Sequence, residues 1–235
     1  MFIGHFATAY AAKRLAPRAS LGTLFAAAQL PDLVWPWLVL AGVEGATIAP
    51  GDTAFTPLRF DNYPLSHSLL TVAAWGAAFG AVHFWRKRRP KDALVLAALA
   101  VGHWVLDFVS HRPDMPLWPG GPKLGLGLWN SVPATIVVEL LMLAAGLWLA
   151  LSATRARDRL GRWGFAGLAA LLLLIYAGNV TSPPPPSIEA VGWAGAIGGL
   201  LFVTLAAWVD RHREPRLPSP GTALAVAGRG LTAAQ

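Results

Sequence analysis

Long apolar runs alternate along this chain with short basic or polar stretches. A membrane-spanning helix needs about 20 mostly apolar residues. Runs of that kind fall at residues 21–43, 65–85, 93–110, 132–151, 163–179 and 190–209. They predict an all-α, polytopic membrane protein with about six transmembrane helices. A shorter apolar segment, 1–12, is too short to span, and its positive charges follow it instead of preceding it. It reads as an N-terminal half-helix or re-entrant segment, not as a signal peptide. The expected organisation is a single integral-membrane domain over 1–213 and a mobile tail over 214–235.

The loops sharpen this picture. Lys13, Arg14 and Arg18 precede the first run. Arg86, Lys87, Arg88, Arg89 and Lys91 follow the second, Arg155, Arg157, Arg159 and Arg162 the fourth, and Arg211, Arg213 and Arg216 the sixth. Among the remaining connections, 44–64 holds only Arg59, 111–131 only Arg112 and Lys123, and 180–189 no basic residue. The positive-inside rule places the basic loops and the C-terminal tail in the cytoplasm. Pro183 to Pro186 form a stiff outer turn, and Gly76/Gly80 and Gly195/Gly199 are spaced for close helix packing in lipid.

Composition agrees. Of 235 residues, 55% are hydrophobic and 13% charged, against about 25% charged in soluble domains. That argues against a soluble enzyme, a disordered chain or a nucleic-acid-binding domain, and points to membrane lipids as the surroundings. The net charge of +7 is gathered in loops, which is a topology signal and not a nucleic-acid footprint. With no cysteine, disulfides, thiolate metal sites and cysteine nucleophiles are excluded.

Ionisable side chains inside a span cost about 2.5–3.5 kcal/mol each and usually have a function. Here they are His5 in the half-helix, Asp32 after Pro31, His67 within Ser66-His67-Ser68, His103 and Asp107 in the third run, His111 at its end, and Glu139 in the fourth. His103, Asp107 and His111 are spaced i, i+4, i+8 and share a helix face. Imidazole and carboxylate one turn apart suit zinc or a similar divalent ion. At about 1.5 Å per residue, His5, Asp32, His67, His103 and Asp107 all lie between mid-membrane and the outer surface. One pocket open to the outside can collect them. Taken singly, each also reads as a helix-to-helix hydrogen bond. His67 reads equally as a residue near a helix start capped by Ser66, and Glu139 as a partner of a metal-bound histidine or a lone helix contact.

In order, Gly4-His5, Leu30-Pro31-Asp32, Ser66-His67-Ser68-Leu69-Leu70, His103-Trp104-Val105-Leu106-Asp107 and Pro116-Leu117-Trp118-Pro119 resemble the bacterial inner-membrane metal-dependent hydrolase family, whose best-known member is induced by DNA damage. That family is thought to share its ligand logic with zinc-dependent phospholipase C. The resemblance covers about residues 1–120. It implies metal-site roles for His5, Asp32, His67, His103 and Asp107, and a bacterial inner-membrane location. The sequence departs from the family at Val34, where a second acid is common, and at Asn62-Tyr63-Pro64-Leu65, which replaces a His-Arg pair. His111, Arg112 and Asp114 are candidates for equivalent groups from another loop.

The resulting expectation is a membrane-embedded metal-dependent hydrolase acting on a lipid or phosphate ester, with zinc as the first choice of divalent ion and manganese as the second. His5, His67, His103 and Asp107 are the expected ligands. Asp32 is a further ligand or the general base, and His111 the proton donor to the leaving group. Arg112 and Lys123 would attract an anionic substrate. Two rivals stand beside it: a proton- or ion-coupled transporter, since intramembrane His and Asp also form relays, and a non-catalytic membrane scaffold with a structural metal site.

Overall fold

In the computed structural model, residues 1–216 are described. Helix α1 (Ile3–Ala12) is almost wholly buried. Phe6 and Tyr10 pack edge-on against Phe25, and Phe165 and Phe202 close the same aromatic core. The half-helix expected from the sequence is therefore an internal post, clasped chiefly by α7 (Val132–Ala153) and by α2 (Leu21–Ala28). Glu139 of α7 holds its start: Oε2 accepts the Phe2 and Gly4 N–H groups, each at 3.0 Å. Those N–H groups have no partner within α1, and burial without one is costly.

The first apolar run is not one helix. It breaks into α2 and α3 (Leu30–Leu40), bent by 58°. Pro31 is the cause: it has no N–H to continue the α2 ladder, yet its fixed φ suits the first turn of a new helix. A turn then leads to the antiparallel hairpin β1 (Gly45–Ile48) and β2 (Leu58–Asn62), with Thr47 opposite Arg59 and a bulge beside Gly45. The one-turn helix α4 (Pro64–His67) precedes α5 (Leu69–Lys87) and α6 (Pro90–Ser110). Ser68, not Ser66, caps α5 by accepting the Thr71 N–H. Strands β3 (Met115–Pro116) and β4 (Lys123–Leu124) and a 3₁₀ turn (Leu128–Asn130) lead into α7. Ser131 caps α7, as its sequence position suggests. Strand β5 (Thr154–Ala156), α8 (Arg159–Thr181), α9 (Ile188–Arg211) and β6 (Arg213–Pro215) complete the chain.

Four helices, α6 to α9, are long and apolar enough to cross a membrane, or five if the bent α2–α3 pair counts as one span. This is an integral-membrane architecture of the all-α class. The expected count of about six is not reached on length and composition. Helix α5 falls short of the others because its 19 residues include His83, Arg86 and Lys87. It nevertheless lies closely along α6, because Gly76 and Gly80 admit the Ala97 and Ala93 carbonyls where a methyl group would collide. Gly195 and Gly199 leave room for the Pro36 ring and the Leu33 side chain of α3.

The basic end is closed by strand and ion pairing. Lys13 Nζ lies 2.8 Å from Asp210, and β5 pairs with β6. Residues 213–215 are thus built into a strand, so the start of the expected tail is ordered; the rest of it, 217–235, lies outside the described residues.

Candidate metal centre

The broken first run, the one-turn helix and α6 deliver the polar side chains to one place. Asp107 stands at its middle. Its Oδ2 lies 3.0 Å from His103 Nε2 and 3.9 Å from His67 Nε2. Asp32 Oδ1 completes the group, 3.3 Å from His67 Nε2 and 3.7 Å from His103 Nε2. A tetrahedral site with bonds of about 2.0–2.1 Å has ligand-to-ligand edges of about 3.3–3.4 Å. The observed separations bracket that value.

Asp107 Oδ1 faces the other way. It accepts from the Met1 amino group, pairs with His5 Nε2 at 2.9 Å, and lies 3.9 Å from His111 Nε2. The imidazoles of His5 and His103 stack with centroids 3.6 Å apart. His5, His103 and Asp107 form one compact potential ligand group, and Asp32, His67 and His103 a second that shares His103. All five residues expected from the sequence are therefore brought together.

What makes this a ligand set, beyond a polar core, is how the rings are held. His103 Nδ1 lies 2.7 Å from the Ala28 carbonyl, an acceptor only, so Nδ1 carries a proton and Nε2 is the nitrogen turned toward the carboxylates. That carbonyl is available because α2 ends there, and terminal carbonyls lack partners within their own helix. His67 Nδ1 lies 2.7 Å from Ser66 Oγ. The Ser66 hydroxyl donates to Glu44 Oε2, so it accepts from His67 Nδ1 and leaves His67 Nε2 turned toward Asp32 and Asp107. Glu44 Oε1 also accepts the Leu65 and Ser66 N–H groups and so anchors α4. His111 Nδ1 lies 2.9 Å from Asp114 Oδ1, which also accepts from Tyr63 at 2.8 Å. Three rings thus turn Nε2 toward Asp107, each oriented by an acceptor on its far side, as metal-ligating histidines are.

His103 Nε2 is buried and makes no hydrogen bond, although Asp107 Oδ2 is 3.0 Å away. Carboxylates and imidazole nitrogens facing one another in a dry interior call for positive charge among them, carried by a proton or by a metal ion. His5 Nδ1 is likewise buried without a partner. The residues present fit a divalent ion on this ground.

Access is one-sided. The side chains of His5, His67, His103 and Asp107 are at most 6% exposed, whereas that of Asp32 is 43% exposed. Asp32 is therefore the open edge of the cluster. His111 lies against Trp129, with ring centroids 4.1 Å apart, and Phe60 and Tyr63 pack around it. Arg112 is held by Asp114 at 3.2 Å and by Asp52 at 3.0 Å, where Arg59 also bonds Asp52. Burial raises the Asp114 carboxyl, but hydrogen bonds from His111, Tyr63 and Arg112 outweigh it and hold the group below the usual carboxylate range. Lys123 is not part of the cluster; it is exposed and donates to the Asp61 carbonyl on the β1–β2 hairpin.

Glu44 and Tyr63 were not anticipated. Glu44 sits just past the first apolar run, 22 residues before Ser66, and only the fold joins them. The one available signal was a lone acid in Gly42-Val43-Glu44-Gly45 at the end of an apolar stretch. No protein-family model matches the chain, and no curated protein or solved structure matches it.

Proposed function

We propose that the chain is a membrane-embedded, metal-dependent hydrolase whose ion is held by Asp32, His67, His103 and Asp107, with His5 beside them. The supporting observation is the pair of histidines whose Nδ1 atoms are tied back while their Nε2 atoms face two carboxylates without hydrogen-bonding alignment at His103. Zinc suits two imidazoles and two carboxylates best, with manganese as the second choice. A divalent ion in such a site lowers the pKa of water toward neutrality and polarises an ester oxygen.

The protein's own groups supply the rest. Asp32, at the open edge of the cluster, would take the proton of the attacking water on the carboxylate oxygen not given to the ion. His111, backed by Asp114, is placed to give a proton to the leaving oxygen. The aromatic wall of Phe60, Tyr63 and Trp129 limits water around it. Arg112, one-third exposed beside this wall, adds positive charge for an anionic ester, and Lys123 adds a weaker field from the hairpin. A phosphate ester, water-soluble or lipid-borne, is the substrate class this arrangement favours.

In this reading α5 also spans, paired with α6 along its length. The total is then six, the basic end lies in the cytoplasm, and the membrane is a bacterial inner membrane. Transport has less support, because the His and Asp side chains gather around Asp107 and do not string across the membrane.

The test is elemental analysis of detergent-purified protein, wild type beside His103→Ala/Asp107→Ala, with hydrolysis of p-nitrophenyl phosphate and of phospholipid measured on the same samples. Near-stoichiometric metal and activity in the wild type, both lost in the double variant, support the reading. Absence of metal after reconstitution with zinc and manganese overturns it.

A further inference from the structure

The opposite end of the molecule carries a second feature, independent of the metal centre. Two adjoining cavities, about 360 and 420 Å³, open on the basic face and share Pro17, Arg18 and Arg89. Each is within the size range of small-ligand sites. The first is walled by Leu15 from the α1–α2 connection, by Arg88 and Arg89 of the α5–α6 turn, and by Lys91 and Asp92 at the start of α6. The second runs on to Lys13, Asp210 and the β5–β6 strap.

The charges in this trough are unevenly satisfied. Asp210 is taken by Lys13 at 2.8 Å. Asp92 lies 3.9 Å from Arg89 and 4.0 Å from His83. Glu214 is held by Arg155 and Arg157, which do not line either cavity. Arg213 spends its N–H groups on Thr154 and the Gly161 carbonyl. Arg18, Arg88 and Lys91 are exposed and have no acidic partner among the described residues. Arg88 sits at φ 54°, the left-handed conformation that closes the short turn between α5 and α6. Leu15, 54% exposed, is the apolar wall of the trough, and Phe84, 41% exposed, lies beneath the Arg88 guanidinium at 5.9 Å. A concave cluster of unpaired cations bordered by apolar side chains has the chemistry of one ligand: a phosphate on a hydrocarbon tail.

We propose that this trough seats the headgroup phosphate of an anionic membrane phospholipid, held by Arg18, Arg88 and Lys91 with its chains along the exposed apolar rim. A basic pocket between helix ends binds such headgroups more tightly than a diffuse basic belt does, because several cations meet one phosphate. Native mass spectrometry of the full chain in detergent, with phosphatidylglycerol or phosphatidylcholine added, tests it. The comparison sets Arg18→Gln/Arg88→Asn against Arg86→Gln/Lys87→Gln, which removes the same charge from the same face outside the trough.

Expected is retention of phosphatidylglycerol over phosphatidylcholine, weakened roughly tenfold or more in the trough variant and little in the control. Equal loss in both variants, or equal retention of the two lipids, overturns the proposal, since the attraction is then that of the whole basic face. Displacement of the lipid by millimolar inorganic phosphate also overturns it, in favour of a free-anion site. Should the double variant not purify, Lys91→Gln, exposed on the first turn of α6, carries the same comparison.

Discussion

Two clusters of buried ionisable groups lie at opposite ends of this protein, and they are finished differently. At the basic end, Lys13 bonds Asp210 and the Ala19 carbonyl, and Arg213 bonds Thr154 and the Gly161 carbonyl while lying over the Phe165 ring. The buried cations there are answered by the protein itself. Around Asp107 the rings of His67, His103 and His111 are answered on their far sides, whereas His103 Nε2, facing Asp107, and His5 Nδ1, on the far side of its own ring, stay without hydrogen bonds. Burying a polar group without a partner costs free energy. The answered cations serve the fold, and the open atoms around Asp107 are where a bound ion would find ligands.

The contrast makes opposite predictions for substitution. The largest effect belongs to the basic end. Lys13→Met strands Asp210 at a part-buried site and costs about 3 kcal/mol, while Lys13→Met/Asp210→Leu recovers most of it. Thermal unfolding in detergent reads this, with metal content unchanged in the double variant. A Lys13→Met protein as stable as wild type would show that the pair is not a structural lock.

At the centre, His67→Ala removes stabilisation that exists only with metal. With zinc at 100 times its dissociation constant, the wild type gains about 2.7 kcal/mol and the variant gains almost nothing. Unfolding with zinc and with chelator separates the two. A zinc-dependent gain that survives in His67→Ala removes His67 from the ligand set.

A smaller effect follows from the acceptors behind the rings. Ser66→Ala frees His67 to adopt the other tautomer and should weaken metal binding about 10–100-fold without abolishing it. Competition with a fluorescent zinc chelator measures this. An unchanged affinity means that Glu44 and Ser66 serve only to anchor α4.

The smallest effect is electrostatic and lies at the exposed edge of the basic end. Hydrogen bonds from His212 and from the Gly161 N–H hold the Asp158 carboxyl below its usual range, and Arg155 and Arg157 do the same for Glu214. Depressed carboxyls contribute stability that is complete above their unfolded values, near 4, and is lost as pH falls through the folded ones. The basic-end strap should therefore loosen only in acid below about pH 4. Hydrogen exchange in β5 and β6 across that range reports it, and Asp158→Asn should flatten part of the change.

Much of this molecule is written in local sequence. Runs of apolar residues define α6 to α9 because lipid admits only segments whose backbone groups pair internally. Ser131 caps α7 and glycine pairs mark close helix contacts for equally local reasons. The metal-centre residues are legible too, because an ionisable group in an apolar run is costly wherever it occurs.

What local pattern does not carry is direction and partnership. Residues 21–43 read as one span, yet Pro31 breaks them, and the freed Ala28 carbonyl then fixes the tautomer of a histidine 75 residues away. Ser66 looked like a helix cap and is instead the link between Glu44 and His67. The sequence alone determined which side chains must avoid lipid, since that depends only on their chemistry. The tertiary structure decided which nitrogen of His103 faces Asp107, because that depends on the Ala28 carbonyl, brought from a distant segment to the opposite edge of the ring.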